Sequence, residues 1–238
     1  MLSVVIPAYN EENRLPATLK EIISHLDQGN ADYEIIIVED GSTDNTQLKL
    51  EEIRSNNSRI RILQNKKNKG KGFSVKKGVL AAQGEYILFC DADGSTPISE
   101  LDKLLTKLDA GYDIAIGSRG LKESQIRVRQ TFYREYMGKI FNGLVRLLTV
   151  PGIADTQCGF KCFKRDVAQE LFTLQKIKRF SFDVEVLYLA QKKGFKIAEV
   201  PVTWMNSPES RVDLIKDSLR MLIDVLRIRL IHGSDGKS

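Results

Sequence analysis

Four consecutive branched aliphatic residues, Ile35-Ile36-Ile37-Val38, constrain this chain more than any other feature. A strand with one solvated face alternates apolar and polar residues, whereas one that is apolar throughout is covered on both faces. Similar short runs recur, and residues 3–6, 34–38, 60–63, 86–89 and 113–116 all read as strands. Stretches of helical spacing separate them, over residues 12–26, 45–54, 74–82 and 98–108. Thr43 or Asp44 is placed to cap the second helix, and Pro97 suits the first turn of the fourth. This β-α-β-α alternation predicts an α/β fold with a mostly parallel central sheet and helices on both faces.

In such a sheet the ligand site lies beyond the carboxyl ends of the strands. The first strand leads to Pro7-Ala8-Tyr9-Asn10-Glu11 and the second to Glu39-Asp40-Gly41-Ser42-Thr43-Asp44. The fourth leads to Asp91-Ala92-Asp93 and the fifth to Gly117-Ser118-Arg119. Polar and charged residues therefore converge on one rim. Asp91 and Asp93 are spaced i and i+2, so an extended backbone sends both carboxylates to one side. Two hard oxygen donors there could hold a divalent cation against a diphosphate. The plainer alternative is a polar turn closing a buried strand.

The second half is less regular. Residues 125–149 mix arginines and lysine with apolar side chains and read as one or two amphipathic helices. Residues 212–231 read as another, followed by a polar tail. The simplest division is one catalytic domain, 1–211, with a C-terminal helix and tail, 212–238. A net charge of +5 suits phosphorylated substrates or an anionic membrane surface. No aromatic-and-basic RNA motif or zinc finger is present, so nucleic acid is not expected as a partner. No apolar run reaches the length of a membrane span. The three cysteines, Cys90, Cys158 and Cys162, suggest buried thiols in a reducing compartment. The N-terminus enters a strand-like run at once, which places the protein in the cytoplasm as an expectation.

Val4-Val5-Ile6-Pro7-Ala8-Tyr9-Asn10-Glu11, Val38-Glu39-Asp40-Gly41-Ser42-Thr43-Asp44 and Asp91-Ala92-Asp93 resemble three motifs of family 2 glycosyltransferases with the GT-A fold. Asp155-Thr156-Gln157-Cys158-Gly159-Phe160-Lys161, Phe182-Asp183-Val184-Glu185 and Ile197-Ala198-Glu199-Val200-Pro201-Val202-Thr203-Trp204 narrow the resemblance. They are similar to motifs of dolichyl-phosphate β-glucosyltransferases, which are akin to dolichyl-phosphate mannose synthases. Glu39 stands where the family usually has the first of two aspartates. Ser95 stands where mannose synthases usually carry glutamine, which tilts the donor toward UDP-glucose over GDP-mannose.

The resemblance implies metal-dependent transfer of a hexose from a nucleotide sugar to a polyprenyl or dolichyl phosphate, with inversion at C1. Asp93 is expected to ligate Mg2+ or Mn2+, Asp91 to ligate it or touch the nucleotide, and Ser95 to stand third. Pro7, Tyr9, Glu11 and Asp40 are implied for the nucleotide-sugar pocket. Lys71, in Lys69-Gly70-Lys71-Gly72, is expected near the donor, with the glycines turning the chain into the next helix. Arg211 could close over the diphosphate. A phosphate monoester is mostly dianionic at neutral pH and attacks without a general base. Cations must hold it, and Arg119, Arg127 and Arg129 are placed to do so, Arg119 and Arg129 as catalytic groups. Asp155, Gln157 and Asp183 are candidate sugar or acceptor contacts. Asp183 would serve as base if the acceptor were a hydroxyl, while Asp183 and Glu185 could equally fix loops. A nucleotide-sugar binder without catalysis is the rival from another class. The amphipathic helices could lie on the cytosolic face of a membrane, pack on the domain or join a second subunit.

Overall fold

The computed structural model describes residues 1–29, 32–128, 143, 149–205 and 216–233. Its first half is a run of alternating elements: β1 (Leu2–Ala8), α1 (Leu15–Gln28), β2 (Tyr33–Glu39), α2 (Thr46–Ser55), β3 (Ile60–Gln64), α3 (Lys71–Ala81) and β4 (Tyr86–Cys90). A 3-10 turn at Ile98–Glu100 then leads into α4 (Leu101–Asp109) and β5 (Ile114–Ser118). Beyond it come β6 (Gln125–Val128), β7 (Phe160–Lys164), α5 (Arg165–Leu174), α6 (Phe182–Lys192), β8 (Ile197–Pro201), β9 (Thr203–Met205) and α7 (Lys216–His232).

Seven strands form one sheet in the order β3-β2-β1-β4-β7-β5-β8. All neighbours are parallel except β7, which runs antiparallel to both β4 and β5. Side-chain alternation along the strands divides the core in two. Val4, Ile6, Ile35, Ile37 and Leu88 face α1, α2 and α4, whereas Val5, Ile36, Val38, Phe89 and Phe163 face α3, α5 and α6. Helix α7, part of the segment 212–238 set apart in the sequence, sends Val225 and Ile228 into the second of these clusters. All three cysteines are buried free thiols.

Helix α1 starts later than its apolar pattern suggests, because Pro16 fits a first turn and restricts Leu15 before it. Helix α3 starts earlier, straight after Gly70, whose φ of +101° is open to glycine and strained for other residues. Asp44 stabilises the start of α2, its Oδ1 accepting from the Thr46 N–H at 3.0 Å. One expectation needs correction, and one strand was not foreseen. Residues 125–128 are not helical: Gln-Ile-Arg-Val alternates with period two and pairs as β6 with β9. The rest of the expected helix at 125–149 lies outside the described residues, apart from residues 143 and 149. Strand β7 escaped the pattern because Lys161 interrupts it, yet Lys161 is 1 % exposed.

Gly78 brings α3 close to the sheet: a Cβ there would meet Val5 Cγ1 at 2.4 Å and Val38 Cγ2 at 3.0 Å. Alanine favours a helix by about 1 kcal/mol over glycine, but overpacking a core costs about 1–3 kcal/mol. Gly78→Ala is expected to lower the urea midpoint. A more stable variant would contradict this packing.

Candidate active site

The parallel order puts the carboxyl ends of β1, β2, β4 and β5 on one rim. Because β7 is antiparallel, its start lies there too, with Phe160 paired to Cys90. Residues 155–159 thus arrive beside Asp91, whose N–H donates to the Gly159 carbonyl at 3.1 Å. Two loops of the rim are laced together. Asn10 N–H donates to Ser42 Oγ at 2.9 Å, Thr43 N–H to Asn10 Oδ1 at 2.7 Å, and Glu11 N–H to Thr46 Oγ1 at 2.7 Å. Asn10 takes a positive φ of 55° in this lacing. Glu39, in place of the usual aspartate, turns back on its own loop and accepts from Ser42 N–H at 2.5 Å.

Asp91 and Asp93 are both partly exposed at the end of β4. Asp93 Oδ1 accepts from Ser95 N–H at 3.0 Å, and Oδ2 is 4.0 Å from an Arg14 guanidinium nitrogen. Arg14 also grips Glu11 with two hydrogen bonds, at 2.7 and 2.6 Å. It therefore links two expected site residues, and sequence reading missed it. Lys71 Nζ lies 2.7 Å from Asp91 Oδ1. Burial opposes the Lys71 charge, but Asp91 and Asp183 outweigh it and raise the ammonium above its ordinary value.

Two carboxylates fit a small hard cation. Such ions are commonly held by one or two protein carboxylates, with substrate phosphate oxygens and water completing the shell. Among the described residues no cluster of three or more His, Cys, Asp or Glu forms a complete cage. Ser95 is half-buried beside Asp93, and its carbonyl accepts from Met205 N–H at 2.8 Å. That bond ties the β6–β9 ribbon, with exposed Arg127, to this loop.

Asp40 is 3 % exposed and accepts from Asn65 Nδ2 at 2.7 Å and from the Lys69 and Gly70 N–H groups at 2.9 and 2.8 Å. It orders the loop that delivers Lys71, and it does not cap α2. Pro7 and Tyr9, at the end of β1, are half-buried on the same rim.

Arg119 follows β5 and is clasped by Asp155. Its Nε and Nη2 donate to the carboxylate at 2.6 and 2.9 Å, and its backbone N–H donates at 3.0 Å. Three of the five guanidinium N–H groups are not used by this clasp. The guanidinium also lies 5.4 Å from the centroid of the Trp204 ring, so that ring stacks on a cation. Burial would raise the Asp155 pKa, but Arg119 overrides it and lowers it from 3.8 to about 2. Asp155 is buried behind Arg119 and positions it. Behind that stands Glu199 of β8, which accepts from the Ala154 and Asp155 N–H groups at 2.8 and 3.1 Å. Gln157 is half-buried, its N–H donating to Asp155 at 3.1 Å and its Nε2 reaching Met221 Sδ at 4.0 Å.

Asp183, in the first turn of α6, is buried with its Oδ1 2.6 Å from Lys161 Nζ. Burial pushes its carboxyl up despite Lys161. Glu185 is fully buried and fixes a loop, accepting from Lys176 and Ile177 N–H at 2.9 and 2.8 Å. Arg129 and Arg211 lie outside the described residues.

A sheet of this order, with paired aspartates on its rim, defines a class of nucleotide-sugar transferases, and the comparisons agree. The sequence profile of Glycosyl transferase family 2 matches residues 3–172. The chain belongs to this family and is a glycosyltransferase. It is 41 % identical over 242 residues to dolichyl-phosphate beta-glucosyltransferase of Dictyostelium discoideum, covering 96 % of this chain and 73 % of that one. Identity to the human protein of that name is 37 %, covering 96 % and 75 %. The fold matches glucosyl-3-phosphoglycerate synthase from Mycobacterium tuberculosis at a TM-score of 0.70 and 21 % identity, covering 100 % of this chain and 82 % of that one. A further structure of that enzyme, with Mn2+, UDP and glucosyl-3-phosphoglycerate, also scores 0.70 at 21 % identity, covering 98 % and 80 %.

Gly159→Ala would put a Cβ 2.0 Å from Asp91 Oδ2. Misplacing a reacting constellation by an ångström costs about a hundredfold. The expected result is a loss of turnover of that order, with the protein still folded by circular dichroism. Asp155→Asn leaves the partly buried Arg119 without its counter-charge and is expected to cost about 3 kcal/mol in urea unfolding at neutral pH. The folded carboxyl is depressed, so its contribution is present above the unfolded pKa of 3.8 and fades as pH falls toward about 2. The gap between wild type and variant should narrow over that interval.

Proposed function

We propose that this glycosyltransferase moves glucose from UDP-glucose to a dolichyl or other polyprenyl phosphate at the cytosolic face of a membrane, with inversion. The observation that carries the reading is the pairing on one rim of Asp91 and Asp93 with an arginine, Arg119, held by Asp155. The relatives named above supply the sugar and the acceptor.

Asp93 and Asp91 would hold Mg2+ or Mn2+, with Ser95 as a lesser donor. When bound, the ion supplies Lewis-acid neutralisation of the diphosphate as the sugar bond breaks. Lys71, already on Asp91, adds a cation to the same leaving group. Pro7, Tyr9 and Glu11 line the nucleoside side, and Asp40 acts there through the loop it orders. Arg211 closes over the diphosphate. Arg119 presents its remaining N–H groups to the acceptor phosphate, with Arg127 and Arg129 assisting. An acceptor oxygen bonds to C1 as the C1–oxygen bond to UDP breaks, and the product is β-linked. No general base is needed for this acceptor. The occupancy of Asp183 by Lys161 favours it over a hydroxyl. Asp155, Gln157 and Asp183 support the sugar and acceptor side, Asp155 by orienting Arg119.

Asp93→Asn should abolish label transfer from radioactive UDP-glucose to dolichyl phosphate, read as counts in the lipid extract. In the wild type, chelation should stop the reaction and added Mg2+ or Mn2+ should restore it. Full activity of the Asp93 variant would refute the assignment. Arg119→Lys should raise KM for the acceptor about tenfold or more, with donor KM little changed.

A further inference from the structure

Helix α7 has two apolar sides, and among the described residues only one is packed into the fold. Met221, Val225, Ile228 and His232 recur at helical spacing and are buried. His232 Nε2 lies 2.7 Å from the buried Glu185, and Lys192 Nζ donates to the His232 carbonyl. These contacts fix the rotation of the helix about its axis. On the opposite side, Ile223, Leu226 and Leu230 follow one another at i, i+3 and i+7, with 49, 51 and 79 % of their surface exposed. Ten large hydrophobic residues are exposed among the described residues, and three of them stand in this one stripe. An unfavourable surface concentrated so narrowly marks an interaction site.

Arginines border the stripe on both sides. By helical period, Arg220 and Arg227 lie along one edge and Arg229 along the other, all exposed. Arg227 is 3.9 Å from Asp224; no other ion pair of these three arginines is found among the described residues. An apolar ridge between cations fits the interface of an anionic bilayer, where the side chains enter the acyl boundary and the guanidinium groups meet headgroup phosphates. No helix of the described residues is long and apolar enough to cross a membrane, so the fit is to a surface.

Resting on the lipid acceptor proposed above, we infer that Ile223, Leu226 and Leu230, with Arg220, Arg227 and Arg229, form a membrane-docking face for anionic lipid. The buried side of the same helix meets the loop that carries Asp155: Met221 Sδ lies 4.0 Å from Gln157 Nε2. Docking by the outer side therefore sets the Arg119 clasp at a fixed height over the lipid surface.

The test is co-sedimentation of the full chain with phosphatidylcholine vesicles, with and without phosphatidylserine. The wild type is expected to pellet with the phosphatidylserine vesicles and to be released by high salt. The triple variant Ile223→Ser, Leu226→Ser, Leu230→Ser should lose about tenfold or more of this binding. It should retain wild-type circular dichroism and wild-type transfer to a short-chain, water-soluble prenyl phosphate. Equal pelleting of both proteins, or no pelleting of the wild type, would overturn the inference. So would light scattering that showed a dimer for the wild type and a monomer for the variant, because a second copy would then cover the stripe. The vesicle readout needs no turnover, so failure of docking and failure of the proposed reaction are separate results.

Discussion

The ladder between β4 and β7 is the constraint on which the site depends. A parallel sheet alone would gather the carboxyl ends of its strands and leave the 155–159 segment on the far side. Reversing one central strand carries that segment to the rim, where Gly159 packs against the Asp91 carboxylate with no room for a methyl group. Asp91 and the Arg119–Asp155 clasp thus meet at the same end of one hydrogen-bonded ladder, and a disturbance in either reaches the other through backbone.

Charge is managed there in pairs. Lys71 sits on Asp91, Lys161 on Asp183, and Arg119 on Asp155, each between 2.6 and 2.7 Å. Such pairs add little net stability, since desolvation offsets their attraction, but losing one member is costly. Their value here is geometric. A guanidinium held by a bidentate partner does not have to be ordered when an anion arrives, and preorganised cations in a poorly hydrated site act more strongly than solvated ones. Glu199 and Asp40 do the same for backbone, each carboxylate holding consecutive N–H groups, Asp40 in the loop that leads to Lys71 and Glu199 in the loop that carries Asp155.

Much of this was legible in the sequence. The unbroken Ile35–Val38 run marked a strand covered on both faces, and the acids after β2 and β4 marked the rim. What stayed hidden depended on partners distant in the chain. Lys161 disguised β7, because a lysine in a central strand is intelligible only once Asp183 is seen beside it. Asp155 read as a candidate sugar or acceptor contact, and its burial and its three hydrogen bonds from Arg119 are visible only in the fold. Arg14 carries no motif, and its bridge between Glu11 and Asp93 exists only in three dimensions. The four residues of β6 were absorbed into a longer amphipathic pattern, although their own period was two.

Glu185 has no exposed surface, and its third partner, after two backbone amides, is His232 near the end of α7. The loop it secures continues to the Lys178 carbonyl, which accepts from Phe73 N–H two residues after Lys71. Without α7 in place the buried carboxylate keeps only its two backbone amide partners, and the second core cluster lacks Val225 and Ile228. Seating of α7 thus completes the anchoring of the loop that holds the first turn of α3, and the helix acts as a latch on the Lys71 side of the rim.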